Sequence, residues 1–480
     1  MTGKGKTAVT TDPSAHEPGL LSWPIATLAL STLLASLGIS IANVALPAIA
    51  QAFLRPFSEV QWVVLAYLLA TTVTIAGAGK AADVFGPRRV LFAGILLFAA
   101  SSLAGSIAPT LPWLLAARTG QGIGAAILTV AALSLLREIV LDERIGRAMG
   151  LFGTMSAVGT ALGPSLGGVL VSGPGWRACF VLLAALGALN AALALRVLPP
   201  RAETPKPRKR QFDMAGALLL AATLTAYCLA IASRSNAGVG EIRAAFLAAA
   251  IVGLILFVRL EWQAPAPLID IAALRRPATA GGLAANLLVS GVMMATLVVG
   301  PFYLAFGLGL HPVAVGLVMA VGPITSALTG LIAGWATDRL GATKARLAGL
   351  AVMIPGAAGL ALLPAVLGIA GYVLALLVLT PGYQLFLAAN STAVMAEAAR
   401  TDRGVASGLI GLSRNLGLIT GTTVLGAVFA ASIGASAVGP GSPQAIGHGL
   451  MVSFLVAAGG LTAAFAIVMA CARREETVDV

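Results

Sequence analysis

The sequence predicts an all-α polytopic membrane protein, and three observations support that prediction. Of its 480 residues, 58% are hydrophobic and only 10% are charged, whereas an ordinary soluble protein is about 25% charged. The mean hydropathy is +0.96. The apolar residues form long runs separated by short polar segments, and each run is long enough to cross about 30 Å of hydrocarbon as a helix. This pattern excludes a soluble multidomain enzyme.

Fourteen apolar runs are predicted to span the membrane, because a helical span needs roughly 20 apolar residues. The first six cover residues 22–48, 60–79, 89–108, 111–137, 146–172 and 177–197. A polar linker at 196–211, rich in proline and basic residues, follows them. The other eight cover residues 213–233, 244–261, 278–305, 312–336, 345–366, 369–396, 404–432 and 448–471.

The basic residues predict the orientation of the chain. Of the 30 lysines and arginines, 24 lie on the side of the predicted bundle that holds both termini, and 4 lie on the opposite side. Because basic loops stay in the cytoplasm, both termini are predicted to be cytoplasmic. Topology thus accounts for the net charge of +12, and no nucleic-acid partner is expected. The two remaining basic residues, Arg118 and Arg414, fall inside spans.

An internal repeat divides the chain into two halves. The pattern G-x-x-x-D-x-x-G, followed by basic residues, occurs after the second span at 79–86 and again after the tenth at 334–341. Paired repeats of this kind are typical of transporters that rock one half against the other. The predicted division is a cytoplasmic tail 1–19, a six-helix half 20–197, a linker with two inserted helices and an interfacial connector 198–277, a second six-helix half 278–472, and a cytoplasmic tail 473–480.

Four motifs follow one another in the first half, and together they carry a family resemblance. They are Asn43-Val-Ala-Leu-Pro47, the loop 79–89, Arg118-Thr-Gly-Gln121-Gly122, and the glycine-rich run 159–168. In this order the chain resembles the major facilitator superfamily, and within it the fourteen-span drug:proton antiporter branch. The resemblance implies a monomeric, proton-coupled exporter of amphipathic small molecules, drugs or toxic metabolites, in the bacterial cytoplasmic membrane. It also implies alternating access between the two halves.

Two motifs are expected to act in the conformational change. The resemblance implies that the repeated loop latches the cytoplasmic side through Gly79, Asp83, Gly86, Arg88, Arg89 and Asp338. The alternative is a solvated turn that carries topology charges. In the fifth span, glycines at every fourth position let another helix backbone come close, and a proline removes one helix hydrogen bond. The resemblance assigns this pattern, Gly159, Gly163, Pro164 and Gly167, to exporters rather than importers, with generic packing as the alternative.

Arg118 is the first candidate for the substrate and proton pathway. Burying a charge within a span costs about 2.5–3.5 kcal/mol, so Arg118 should face a water-filled cavity or a polar partner. Gln121 lies one turn further along the same helix face. The resemblance implies a part in proton transfer or substrate binding, and an arginine that fixes the bundle by hydrogen bonds is the alternative. The other candidates are Asn43, Tyr383, Gln384 and Arg414.

One position departs from the resembled branch. That branch carries an aspartate in the first span, five residues before the asparagine of its motif, and here the position is Gly38. All 18 acidic residues fall in tails, loops or span ends, so no carboxylate is predicted at the midplane. Proton coupling then needs a span-end acid such as Asp83, Glu59 or Glu397, or the titration of the substrate itself. The alternative is a specific exporter of an anionic or neutral metabolite or antibiotic, including an uncoupled facilitator.

Metal-dependent, ATP-driven and enzymatic functions are not predicted. The three cysteines and three histidines are isolated, with no second ligand one helical turn away. Neither H-E-x-x-H nor G-x-S-x-G nor a phosphate-binding loop occurs. We therefore expect no metal, no cofactor and no enzymatic activity. The expected partners are a small-molecule substrate, protons and the lipid bilayer.

Overall fold

The computed structural model describes residues 23–140, 145–198, 214–232, 240–264, 276–397, 403–434 and 442–478. These ranges contain fourteen long helices. In chain order they are α1 (Trp23–Phe53), α2 (Trp62–Phe85), α3 (Pro87–Ser106), α4 (Leu111–Ile139), α5 (Ile145–Ser172), α6 (Arg177–Val197), α7 (Met214–Ala232), α8 (Gly240–Gln263), α9 (Pro277–Phe302), α10 (Pro312–Leu340), α11 (Ala342–Leu367), α12 (Ile369–Glu397), α13 (Arg403–Thr420) and α14 (Pro443–Val478). The predicted tail 1–19 and most of the predicted linker and connector lie outside the described residues.

The predicted fold class is confirmed. In the described part of the chain, 13 helices are long and apolar enough to cross a membrane, and α7 contributes a shorter apolar stretch, Leu218–Ile231. Observed and predicted bounds agree to within a few residues, with α1, α2 and α14 as exceptions. All three continue beyond the predicted span, to Phe53, Phe85 and Val478, because a helix satisfies its own backbone hydrogen bonds whether its surroundings are lipid or water.

Three irregular features have no counterpart in the predicted spans. A short helix, Phe57–Val60, precedes α2. A turn of π-helix, Tyr303–Gly307, ends α9. A second one, Gly421–Leu425, interrupts α13, which then continues as Gly426–Ser432. Such π-turns are frequent at functional sites.

The two six-helix halves repeat the same packing. In the first half α3 packs on α4 and α6, and α1 packs on α5; in the second, α11 packs on α12 and α14, and α9 packs on α13. The helices α2 and α10 likewise pack on α4 and α12. The pairing of corresponding helices supports the internal repeat that the two loop motifs predict.

Two single-residue turns mark one end of the bundle. Only Gly86 separates α2 from α3, and only Gly341 separates α10 from α11. Their φ angles are +86° and +79°, in the left-handed region that glycine adopts without a steric penalty. We call this the basic end, because Arg88 and Arg89 follow the first of these turns. The opposite end, which holds the helix Phe57–Val60, is the far end.

The two inserted helices lie at a seam between the halves. The halves meet directly where α5 packs on α10, whereas α2 and α13 touch less and α7 packs against both. The Thr423 hydroxyl in the π-turn of α13 donates to Cys228 Sγ of α7 at 3.6 Å. Outside α7 lies α8, whose side chains are largely exposed. The insert therefore bridges the halves from the lipid side.

Two charged side chains are more buried than the sequence suggests. Glu261, in the last turn of α8, is 2% exposed, and Arg346, in the second turn of α11, is 3% exposed. Both were expected among the polar span ends. Their helices place them on inward-facing positions, so they pack against protein instead of reaching water.

Candidate functional site

The side chain of Arg118 is wholly buried and joins three helices. Its Nε donates to the Val63 carbonyl at 2.9 Å, and its Nη1 donates to the Gly38 carbonyl at 2.9 Å and to Gln121 Oε1 at 2.6 Å. The guanidinium lies 4.4 Å from the centroid of the Tyr67 ring. We call these five residues the Arg118 node. Because hydrogen bonds to charged groups contribute about 1.5–3 kcal/mol each, the node fixes α1, α2 and α4 to one another.

A second set of hydrogen bonds extends the node to α3. The Gln121 amide donates to Ser102 Oγ at 2.7 Å, and the Ser102 hydroxyl donates to the Phe98 carbonyl at 2.6 Å. Arg118 thus has the polar partners that the sequence requires of a buried charge. Its Nη2 has no hydrogen-bond partner among the described residues, and a part in proton transfer or substrate binding would use this donor.

Gly38 lies inside the node, and its surroundings leave little room for a side chain. A β-carbon there would lie 3.2 Å from Phe98 Cζ and 3.4 Å from the Tyr67 hydroxyl. The Gly38 backbone carbonyl, rather than a carboxylate, receives the Arg118 N–H. An aspartate at this position would therefore require the buried Phe98 ring to move.

The glycine stripe of α5 packs directly on the backbone of α1. A β-carbon at Gly159 would lie 2.6 Å from the Leu33 carbonyl oxygen, and one at Gly163 would lie 2.8 Å from the Ile41 nitrogen. The Ser40 hydroxyl of α1 donates to the Gly159 carbonyl at 3.0 Å. Gly167 lies on the same face, and a β-carbon there would lie 3.2 Å from the Ile41 carbonyl oxygen. The close helix approach predicted from the spacing is present.

At the far end the two halves are closed against each other. Phe57 of the first half packs edge-on against Phe302 and Phe429 of the second, with ring centroids 4.7 and 5.0 Å apart. We call these three residues the far-end gate. Beside it, α5 and α10 cross at Gly168 and Gly316, where a β-carbon on either glycine would lie 3.0 Å from the other's Cα.

At the basic end the same two helices are apart. Among the described residues, none lies within 4 Å of the position of a β-carbon on Gly153 of α5 or on Gly330 of α10. Leu331 of α10 is 87% exposed. The described helices therefore form a conformation that is closed at the far end and open at the basic end. The Arg118 node lies about 10 Å from the far end along α4, and the Arg118 side chain is wholly buried there.

Arg414 occupies a different environment from Arg118, although both lie deep within spans. The buried face of α13 packs on α9, where the Ser413 hydroxyl donates to the Leu283 carbonyl at 2.6 Å. Ser407, Gly411 and Arg414 recur along the opposite face and are all exposed. Because an arginine facing lipid at this depth is costly, we infer that this face borders the water-filled space between the halves.

The pairing of two halves, the glycine crossings and the one-sided opening all fit one family of transporters. The model of the Major Facilitator Superfamily matches residues 28–422. The chain belongs to the Major Facilitator Superfamily. The resemblance carried by the sequence motifs is thereby confirmed, and the protein is a secondary transporter rather than an enzyme.

Curated members of the superfamily with similar sequences include both drug exporters and a vitamin transporter. The chain is 33% identical over 406 residues to the multidrug resistance protein Stp of Mycobacterium tuberculosis (strain CDC 1551 / Oshkosh), covering 82% of this chain and 73% of Stp. It is 28% identical over 413 residues to the riboflavin transporter RibZ of Clostridioides difficile (strain 630), covering 85% of this chain and 88% of RibZ.

A solved superfamily structure shows the same fold. It is the bacterial homologue of the human lysosomal transporter Spinster, in an inward-facing and unoccupied conformation. The TM-score is 0.72 at 16% sequence identity, with 95% of this chain and 98% of that chain covered. At this identity the likeness concerns the fold alone.

The remaining candidate residues of the pathway lie apart from the Arg118 node. The Gln384 amide of α12 donates to the Ser326 carbonyl of α10 at 3.0 Å, which ties these two helices together. Tyr383 is half-buried against the apolar core. Asn43 is buried, and neither atom of its amide has a hydrogen-bond partner among the described residues. The structure therefore does not gather all the predicted residues into one cluster.

The structure describes part of the loop motif to which the family resemblance assigns a latch role. Gly86 adopts the positive φ that its motif needs, Arg88 is half-buried and Arg89 is exposed. Gly79 lies in the last two turns of α2, and Asp338 is exposed near the end of α10. The side chain of Asp83 lies outside the described residues. The latch role of these residues remains a proposal.

The far-end gate was not found by sequence reasoning. Its phenylalanines are separated by up to several hundred positions in the chain, and none belongs to a motif. Phenylalanine is common in apolar spans, so no local signal distinguishes these three from ordinary core residues. Only the packing of the two halves brings them together.

Proposed function

We propose that this transporter is a secondary active exporter of amphipathic small molecules, such as drugs or toxic metabolites, and that it works by rocker-switch alternating access. The observation that carries the proposal is the glycine stripe of α5. It holds α1 and α5 in backbone contact within the first half, and the resemblance assigns this pattern to exporters. A related protein, Stp, is a multidrug resistance protein.

The proposed setting is the bacterial cytoplasmic membrane, with both termini and the basic end in the cytoplasm. The excess of basic residues at that end supports this orientation. The described conformation is then open to the cytoplasm, ready to receive substrate. We propose that the protein acts as a monomer and that protons entering the cell drive export.

A second candidate is a specific exporter of an anionic or neutral metabolite or antibiotic, including an uncoupled facilitator. Arg414 favours this candidate, because it presents a positive charge on the exposed face of α13. Gly38 also favours it, since the carboxylate that would attract a cation is replaced by a glycine in a tightly packed site. RibZ, a relative of similar identity, is a riboflavin transporter.

Dye export from a pump-deficient bacterial host tests both candidates. The host expresses wild type, Arg414→Ala or Arg414→Lys, and is loaded with ethidium as the cationic probe or carboxyfluorescein as the anionic probe, with and without a protonophore. We expect wild type to export at least one probe and the protonophore to slow that export. Arg414→Ala is expected to reduce export of the anion at least tenfold, with partial rescue by Arg414→Lys, which keeps the charge.

Each outcome assigns the function differently. Export of ethidium alone, unaffected by Arg414→Ala, would reject the anion-selective candidate and keep the drug exporter. Export that the protonophore does not slow would reject proton coupling. Retention of both probes at the level of the empty vector would contradict export of these probe classes altogether.

A further inference from the structure

A buried polar stripe runs along α9 from the basic end to the middle of the bundle. Thr279, Gly282, Asn286 and Ser290 recur at steps of three and four residues, so they share one helix face. All four are buried. Eleven residues of helix separate the first from the last, which is about 16 Å, roughly half of a 30 Å hydrocarbon layer. The stripe thus reaches the depth of the membrane midplane.

A carboxylate lies at the basic end of this stripe. The Thr279 hydroxyl donates to Glu397 Oε2 of α12, and the Arg276 guanidinium donates to the Glu397 backbone carbonyl. Glu397 is half-buried. About one turn further in, Arg346 Nη1 lies 3.4 Å from the position of a β-carbon on Gly282. Arg276, at the N-cap of α9, thus contacts the backbone of this acid, and Arg346 of α11 lies beside the stripe at Gly282.

Several buried polar atoms along the stripe lack hydrogen-bond partners among the described residues. Neither Oδ1 nor Nδ2 of Asn390 has one, and the same holds for Asn286 Oδ1 and Ser290 Oγ. Asn390 is aimed at the stripe, because its Oδ1 lies 2.9 Å from the position of a β-carbon on Gly282. Asn390 and Glu397, seven residues apart, share one face of α12.

Unpaired buried polar atoms of this kind are positions where internal water can bind. Leaving a buried donor or acceptor unsatisfied costs about 1–3 kcal/mol, and internal water is the usual partner. Hydroxyl and amide groups that are bridged by water and lead to a carboxylate can pass a proton from one group to the next. Gly282 matters here because a side chain at this position would fill the space beside the Asn390 amide.

We propose that Glu397, Asn390 and the α9 stripe form a hydrated proton path in the second half of the transporter, with protons and water as its ligands. This inference rests on the proposed proton-coupled export and names its route. A proton reaching the stripe from the midplane passes along bound water to a Glu397 carboxylate oxygen, forming its O–H bond. The same bond then breaks, and the proton leaves to water at the open basic end. In this proposal Glu397 carries the proton, the role for which the aspartate of the resembled branch is absent here, where the position is Gly38.

The first experiment measures hydration and does not need a substrate. In a background with Cys179, Cys228 and Cys471 replaced by alanine, Ser290→Cys is reacted with a small, charged methanethiosulfonate reagent. Because the thiolate is the reacting form, the rate reports access of water. The control is Ser453→Cys, equally buried, whose native hydroxyl donates to the Leu425 carbonyl at 3.5 Å. We expect Ser290→Cys to react at least tenfold faster, and equal rates would overturn the path.

The second experiment measures proton movement in proteoliposomes that contain a trapped pH-sensitive dye. The probe is ethidium or carboxyfluorescein, whichever wild type exports. Glu397→Gln is expected to reduce probe-dependent proton flux at least tenfold. Glu241→Gln is the matched control, because Glu241 is an exposed acid in the first turn of the inserted helix α8, and its flux should equal that of wild type.

A third variant separates transport from folding. Asn390→Leu removes the unpartnered amide at similar volume, so thermal stability should be unchanged or raised while proton flux falls. Full proton flux in Glu397→Gln would overturn the proposal. Probe export by wild type without proton movement would also overturn it, yet would leave the exporter function intact. If wild type exports neither probe, the exporter function fails and the labelling rates alone decide whether the path exists.

Discussion

Replacing Gly163 with alanine is expected to abolish transport and to lower thermal stability. The added methyl group would overlap the Ser40 side chain and lie 2.8 Å from the Ile41 nitrogen. The contact is with helix backbone, so no side-chain rotation can relieve it, and α5 must move away from α1. Overpacking of this kind typically costs about 1–3 kcal/mol. The measurements are dye export in the pump-deficient host and thermal unfolding of purified protein.

Gly153→Ala is the matched control for this substitution. Gly153 lies on the same helix, two to three turns nearer the basic end, and a β-carbon there would have no neighbour within 4 Å in the described part of the chain. Its export should match that of wild type, and its unfolding temperature should be slightly higher, because alanine favours helix over glycine. Equal behaviour of the two variants would show that the α1–α5 contact is not required.

Replacing Arg118 with alanine is expected to give an inactive and destabilised protein. The truncation removes the partner of the Gly38 and Val63 carbonyls and of Gln121 Oε1, and each orphaned buried group costs about 1–3 kcal/mol. Arg118→Lys keeps the charge, but a single ammonium cannot reproduce the spread of the guanidinium donors. It should therefore fall between alanine and wild type in thermal stability.

Arg414→Ala provides the comparison, since Arg414 is exposed on its helix. Its unfolding temperature should stay at the wild-type value even if substrate selectivity changes. A stable Arg118→Ala protein that binds its probe normally but fails to export it would contradict a purely structural role for the node. That result would instead favour the part in proton transfer that the family resemblance implies.

Much of the fold was predictable because its signals are local. The apolar runs are long enough to identify each span, and the repeated loop motif identifies the two halves. Gly86 and Gly341 illustrate this, since each stands at a position that requires a positive φ. The spacing of Gly159, Gly163 and Gly167 likewise predicts a close contact with another helix.

The features that sequence reasoning missed depend on contacts between distant segments. The burial of Arg118 and the exposure of Arg414 could not be distinguished, because both are arginines at similar depths in apolar spans. What separates them is the side of the helix on which the neighbours pack. The pairing of Phe57 with Phe429 and the position of α7 at the seam arise in the same way. The partners of Asn390 and Glu397 also become visible only in three dimensions.

The insert adds a constraint that a twelve-helix bundle lacks. Since α7 packs on both α2 and the π-turn of α13, any rocking of the halves must shear this contact. The π-turn Gly421–Leu425 separates the segment of α13 that carries Phe429 from the segment that carries Arg414. It is thus placed where α13 would bend when the far-end gate opens.

The central claim, that the two halves alternate between openings at opposite ends, is tested most directly by paired distance measurements. Spin labels at Gly153→Cys and Gly330→Cys report the basic end, and labels at Gly173→Cys and His311→Cys report the far end, in reconstituted protein without its native cysteines. On adding a transported probe or changing pH, double electron–electron resonance should show the basic-end distance shortening while the far-end distance lengthens. Distances that stay fixed at both ends, or that change in the same direction, would contradict alternating access.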